Sequence, residues 1–166
     1  MKYYLLVIAL ITGTSIGCQS TEPKGSTPAN MDQRRAEVAE KGAEVMPFDL
    51  GATTHIFEKL TDGGLQQVVA DSDDPTQIRL IREHLKDISV RFASGNFHDP
   101  TMIHGAAMPG LHELVMGYKQ ITIAFDEIET GAEIRYSTEN PKLVSAIHAW
   151  FDAQVSDHGD HAQHDH

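Results

Sequence analysis

The chain of 166 residues has one cysteine, Cys18, so no disulfide can form within it and no pair of thiolates is available to a metal. Basic residues are scarce. The 13 Lys and Arg against 24 Asp and Glu leave a formal charge of −11, which argues against nucleic acid and anionic lipid surfaces as partners and is compatible with cations. The apolar stretch Tyr3 to Ile11 is too short for a permanent transmembrane helix. Catalytic motifs are missing as well: there is no nucleophile elbow, no phosphate-binding glycine loop and no catalytic cysteine. Enzymatic turnover is left without a candidate residue.

Histidine is what the chain has in quantity. There are ten, with five methionines besides the initiator. His98, Met102, His104, Met108, His112 and Met116 fall in one run, and His158, His161, His164 and His166 close the chain. Imidazole binds copper in both oxidation states and thioether favours the reduced one, so the mixture suits copper first and zinc second.

Lys2 and the apolar stretch after it read as an export signal. Ser15-Ile16-Gly17-Cys18 resembles a lipobox, although the pattern more often has leucine at position 15. That resemblance implies a signal peptide over residues 1–17 and lipidation of Cys18, as in a bacterial lipoprotein. The other reading is an ordinary secretory signal with an incidental cysteine. Residues 18–30 are rich in Ser, Thr, Pro, Gly and Glu and read as a flexible tether. Gln19, where aspartate would mark inner-membrane retention, implies the outer membrane in a Gram-negative host. The expected location is thus the bacterial cell envelope, with the membrane as a partner through the lipid anchor.

Residues 31–159 are enough for one domain with a real core. Its sequence suggests a duplication, with repeats over about 54–95 and 120–159 and an insert over 96–119. Pro75 and Pro141 each follow a capping stretch and open a helix, where proline in the first turn loses no hydrogen bond. Ile78, Ile81, Leu85, Ile88 and Phe92 recur at helical spacing in the first unit, as do Val144, Ile147, Phe151 and Val155 in the second. A hairpin precedes each helix, with turns at Thr61-Asp62-Gly63-Gly64 and near Glu129-Thr130-Gly131. The expected fold is α+β: a duplicated ββα unit forming a four-stranded antiparallel sheet with two helices on one face. An N-terminal helix, Met31 to Val45, precedes it, and the His/Met-rich insert is loop-like apart from a short helix over 110–116. Aligning the prolines sets His55 opposite Ile121 and so points it toward the helices.

His84 and His148 border the buried faces of their helices, so with His55 three imidazoles can meet between the layers, a sufficient set for copper or zinc. Histidines at such edges also serve as hydrogen-bonded structural residues. In the insert, His104, Met108, His112 and Met116 could form a mixed nitrogen and sulfur set, or the methionines could plug the gap beside the sheet. Asp152, four residues after His148, could orient that imidazole. Asp157 and His158 fall just past the second helix, where the chain is expected to be ordered. Residues 160–166 cannot bury apolar surface and are expected to be a disordered His/Asp tail with weak metal affinity, a solvated end or a cloning remnant.

Several motifs resemble a small family of bacterial exported proteins of unestablished function. They are Met46-Pro47-Phe48-Asp49-Leu50 with Thr53-Thr54-His55, Arg82-Glu83-His84-Leu85, Ile103-His104-Gly105 with Met108-Pro109-Gly110-Leu111, and Trp150-Phe151-Asp152-Ala153-Gln154 with Asp157-His158-Gly159. Members often carry the name aspartate carbamoyltransferase. That enzyme has two doubly wound α/β domains and a Ser-Thr-Arg-Thr phosphate loop, and this chain has neither the length nor the loop. The resemblance ranks His55, His84, His104, Met108, His148 and His158 as primary metal ligands, with Asp152 and Asp157 behind them. His98, His112, Met116, His161, His164 and His166 form a secondary group. The leading expectation is an envelope lipoprotein that handles or senses a transition-metal ion. The alternative is a protein- or small-molecule-binding module with structural histidines, and the third is haem binding through a His/Met pair.

Overall fold

The computed structural model describes residues 28–165. The expected signal peptide, Cys18, most of the tether and His166 lie outside the described residues. Helix α1 (Pro28–Val45) leads through a 3₁₀ turn (Leu50–Ala52) into hairpin β1 (Thr53–Leu60) and β2 (Gly63–Ala70), then helix α2 (Pro75–Ala93). The second unit repeats the order as β3 (Thr122–Ile128), β4 (Gly131–Ser137) and α5 (Pro141–His158). The chain ends in β5 (Ala162–His164). The duplicated ββα arrangement is present, with both helices on one face of the sheet.

Local chemistry explains why the units start where they do. The Asp74 carboxylate accepts from the Thr76 and Gln77 amides and the Asn140 side chain from the Lys142 amide, each beside a proline in the first turn. Sheet order is β3-β4-β2-β1-β5, antiparallel except for β1 with β5. The two hairpin turns lie two residues out of step with the two prolines. Two is an even number, so the facing of every strand residue is preserved and His55 does point inward.

The helices are exchanged between the units. α2 lies mainly over β3 and β4, whereas α5 lies over β1, β2 and β5. The core between the layers is built on Phe57, Ile81, Leu85, Phe92, Ile134, Ile147, Trp150 and Phe151, all nearly inaccessible to solvent.

Two expectations about irregular segments are corrected. The first half of the insert is helical, α3 (His98–His104), with Pro100 tolerated in its first turn. α4 (Leu111–Gly117) follows, and Gly110 before it must be glycine. It has φ +76°, and a Cβ there would lie 2.0 Å from the Ala146 carbonyl oxygen of α5. Second, residues 162–164 of the tail are a strand: His55, Ile56 and Phe57 pair with Ala162, Gln163 and His164. Ala162 is buried in this pairing, so even a polar segment is held once a sheet edge offers its hydrogen bonds.

Candidate functional site

A cavity of about 40 Å³ lies between the layers, lined by residues of β1, β2, α2, α3, α5, the end of α1 and the Met46–Phe48 link after it. Four of the six primary ligand candidates line it: His55, His84, His104 and His158. Phe57, Val68, Leu85, Ile88 and Phe92 supply apolar walls, and Gln66, Asp99, Trp150 and Gln154 add polar groups.

His55 is 3% exposed. Burial pushes its pKa down to about 4, opposed by a backbone hydrogen bond to His161. Nδ1 is buried and meets no partner among the described residues. The ring of His158 stacks on that of His55, centroids 5.1 Å apart and planes 10° from parallel. Burial depresses His158 strongly too, with His55 and His104 adding like charge. Stacked neutral rings are compatible where two imidazolium ions would repel.

His104 meets His158 edge to face, again with centroids 5.1 Å apart. Its Nδ1 lies 2.8 Å from Asp157 Oδ2. Asp157 is 4% exposed, and both its oxygens also accept from Arg34 of α1, at 2.5 Å each. Burial alone would raise the Asp157 pKa, but the hydrogen bonds from His104 and Arg34 and their charges outweigh it and hold the carboxyl below its usual range. A carboxylate only accepts, so His104 Nδ1 is the donor in this bond. This carboxylate–histidine pairing is the one that fixes ligand tautomers in metal sites.

His84 enters from α2, its ring edge-on to Phe48 at 5.6 Å. Burial lowers its pKa, partly countered by Asp99. Asp99 in turn accepts from Arg91 at 2.6 Å. Two further polar atoms of the cavity wall, Trp150 Nε1 and Gln154 Oε1, are buried without a partner among the described residues. Gln66 is satisfied, because the Tyr136 hydroxyl donates to its Oε1 at 2.8 Å.

The remaining candidates lie elsewhere. His148 is turned away from the cavity and donates from Nε2 to the carbonyls of Leu60 and Gly63, both at 2.9 Å, so it locks the first hairpin turn to α5. Asp152 does not orient His148; it pairs with Lys59 and with His164 Nε2. Met108 is buried in the core and borders a shallow groove behind His104 rather than the cavity. His98, His112, Met116 and His161 are exposed. Met108 and Met116 are therefore separated from the imidazole cluster, and the expected set of His104, Met108, His112 and Met116 does not form; Met46 is the methionine that lines the cavity. Among the described residues no group of three or more His, Cys, Asp or Glu side chains is arranged to hold a metal ion as the rings now stand.

Sequence reasoning missed Arg34, Trp150 and Gln154. One signal was available for Gln154 and His158. With the prolines aligned they occupy the places of Ile88 and Phe92, so two polar residues stand where the equivalent helix is apolar.

Comparison with protein-family models, with curated proteins and with solved structures returned no match.

Proposed function

We propose that this protein is a ligand-binding module of the bacterial cell envelope, tethered through a lipid on Cys18, and that its ligand occupies the histidine-lined cavity. One observation carries the reading. Three buried polar atoms without partners, His55 Nδ1, Trp150 Nε1 and Gln154 Oε1, belong to residues lining the same cavity. Each buried unsatisfied group costs about 1–3 kcal/mol. Three around one space are accounted for by something that occupies it. The cavity's size selects the ligand class. Organic ligands and cofactors need roughly 300–1,000 Å³, whereas about 10–15 Å³ admits one water. At about 40 Å³ the space suits an ion or a molecule of very few atoms and is too small for porphyrin.

The test is native mass spectrometry of the full-length protein released from its membranes in mild detergent. An excess over the denatured mass is expected, and Gln154→Leu, which removes one polar wall, should abolish it. Identical native and denatured masses would defeat the proposal.

A further inference from the structure

We infer that the ligand of this cavity is a short, uncharged amide whose carbonyl accepts from Trp150 and whose amino group donates to Gln154. The inference rests on the cavity being a binding site, and names the class of molecule it binds. The unpartnered atoms differ in kind, and that is the first support. Trp150 Nε1 is a donor only and Gln154 Oε1 an acceptor only, and both are buried without a partner among the described residues. The two residues stand four apart on α5 and both line the cavity. Residues at that spacing are neighbours on one helix face, with Cβ atoms roughly 5–6 Å apart. One occupant therefore has a donor and an acceptor to answer side by side. His55 Nδ1, the third such atom, comes from β1 on the sheet side. A primary amide both accepts and donates, so it serves that ring in either tautomer.

Charge is the second support. Among the described residues no Lys or Arg lines the cavity, so an anion has no fixed positive partner there. Burial holds the His55, His84 and His158 rings toward their neutral forms, and His104 is already paired with Asp157. A cation fares no better. Asp99 is the one carboxylate among the described lining residues, and Arg91 already donates to it at 2.6 Å. An ion moved from water to apolar walls without a partner loses far more than a neutral dipole does. Size is the third support. A volume of about 40 Å³ corresponds to roughly three waters, or about three to four non-hydrogen atoms. Formamide, acetamide and urea are molecules of that size.

The experiment uses the full-length chain in detergent, isotope-labelled at tryptophan. Trp150 is the sole tryptophan, so its indole N–H gives a single magnetic-resonance signal. The probes are acetamide, acetate and acetamidinium, which share nearly one shape and are neutral, anionic and cationic. Acetamide should shift the signal saturably, and both ions should bind at least about 100-fold more weakly. Gln154→Leu and His55→Leu should each weaken acetamide by about 10-fold. The dispersed indole signal identifies the variants that remain folded. Gln154→Leu only restores the apolar character that Ile88 has in α2, so it keeps the test available if His55→Leu unfolds. Acetate or acetamidinium binding as tightly as acetamide, or acetamide binding indifferent to Gln154→Leu, overturns the inference. If no probe shifts the signal and the native mass still carries an adduct, the amide assignment fails and the cavity stands as the site. If no probe shifts it and the masses agree, the cavity holds water only and both readings fall.

Discussion

Helices α2 and α5 are counterparts in a duplicated unit, yet their inner faces diverge over the last two turns. Where α2 presents Ile88 and Phe92, α5 presents Gln154 and His158. Phe92 stacks on Phe97 at 4.5 Å and is 2% exposed, so its end of the layer is ordinary core. The matching end of α5 holds an imidazole stack and an amide oxygen with no partner. A shared backbone thus supports two chemistries, with the polar side chains Gln154, buried, and His158, half-buried, on the last two turns of α5 where α2 is apolar. Burial of this kind is what a site demands and what packing alone would remove.

The largest test of the contrast is Phe92→Ala, which deletes the apolar counterpart. It should cost about 3–5 kcal/mol, read as a lower denaturant midpoint with unchanged slope. A loss under 1 kcal/mol would mean that the α2 end is not the tightly packed one. Next comes acid. An unfolded His55 takes up a proton near 6.5, whereas in the folded chain it does so only near 4. Between those values the unfolded state holds more protons, so stability falls as the pH drops through that window. At about 1.4 kcal/mol per pH unit the full window amounts to roughly 3 kcal/mol. His158, shifted in the same direction, steepens the fall. Urea denaturation at a series of pH values checks this, and a flat profile from pH 7 to 5 would contradict it. The smallest effect has the opposite sign. Gln154→Leu with His158→Phe makes α5 resemble α2, and should raise stability by about 1–2 kcal/mol while abolishing binding in the cavity. A stabilised variant that still binds would separate the polar residues from the ligand.

Much of the architecture was readable from the residues, because Pro75 and Pro141, the two turns and the helical spacing all point to one arrangement. His55 was placed inward correctly since the mismatch between turns and prolines is even and leaves strand facing intact. His148 was misplaced for a physical reason. A residue bordering a helix's buried stripe can lean either way, and two carbonyls at the hairpin turn drew it away from the cavity. The Arg34–Asp157–His104 connection joins positions 123 and 53 residues apart, so no local pattern could announce it. β5 was invisible because Ala162-Gln163-His164 has no strand pattern of its own and borrows its order from β1.

The exchange of helices also ties the two units together. Each hairpin is roofed chiefly by the helix encoded with the other, so a half-length ancestor could have roofed its sheet in the same way by trading helices with a twin. Fusion of the twins into one polypeptide would then have freed the two halves to drift apart chemically, one toward plain packing and the other toward the imidazole pocket.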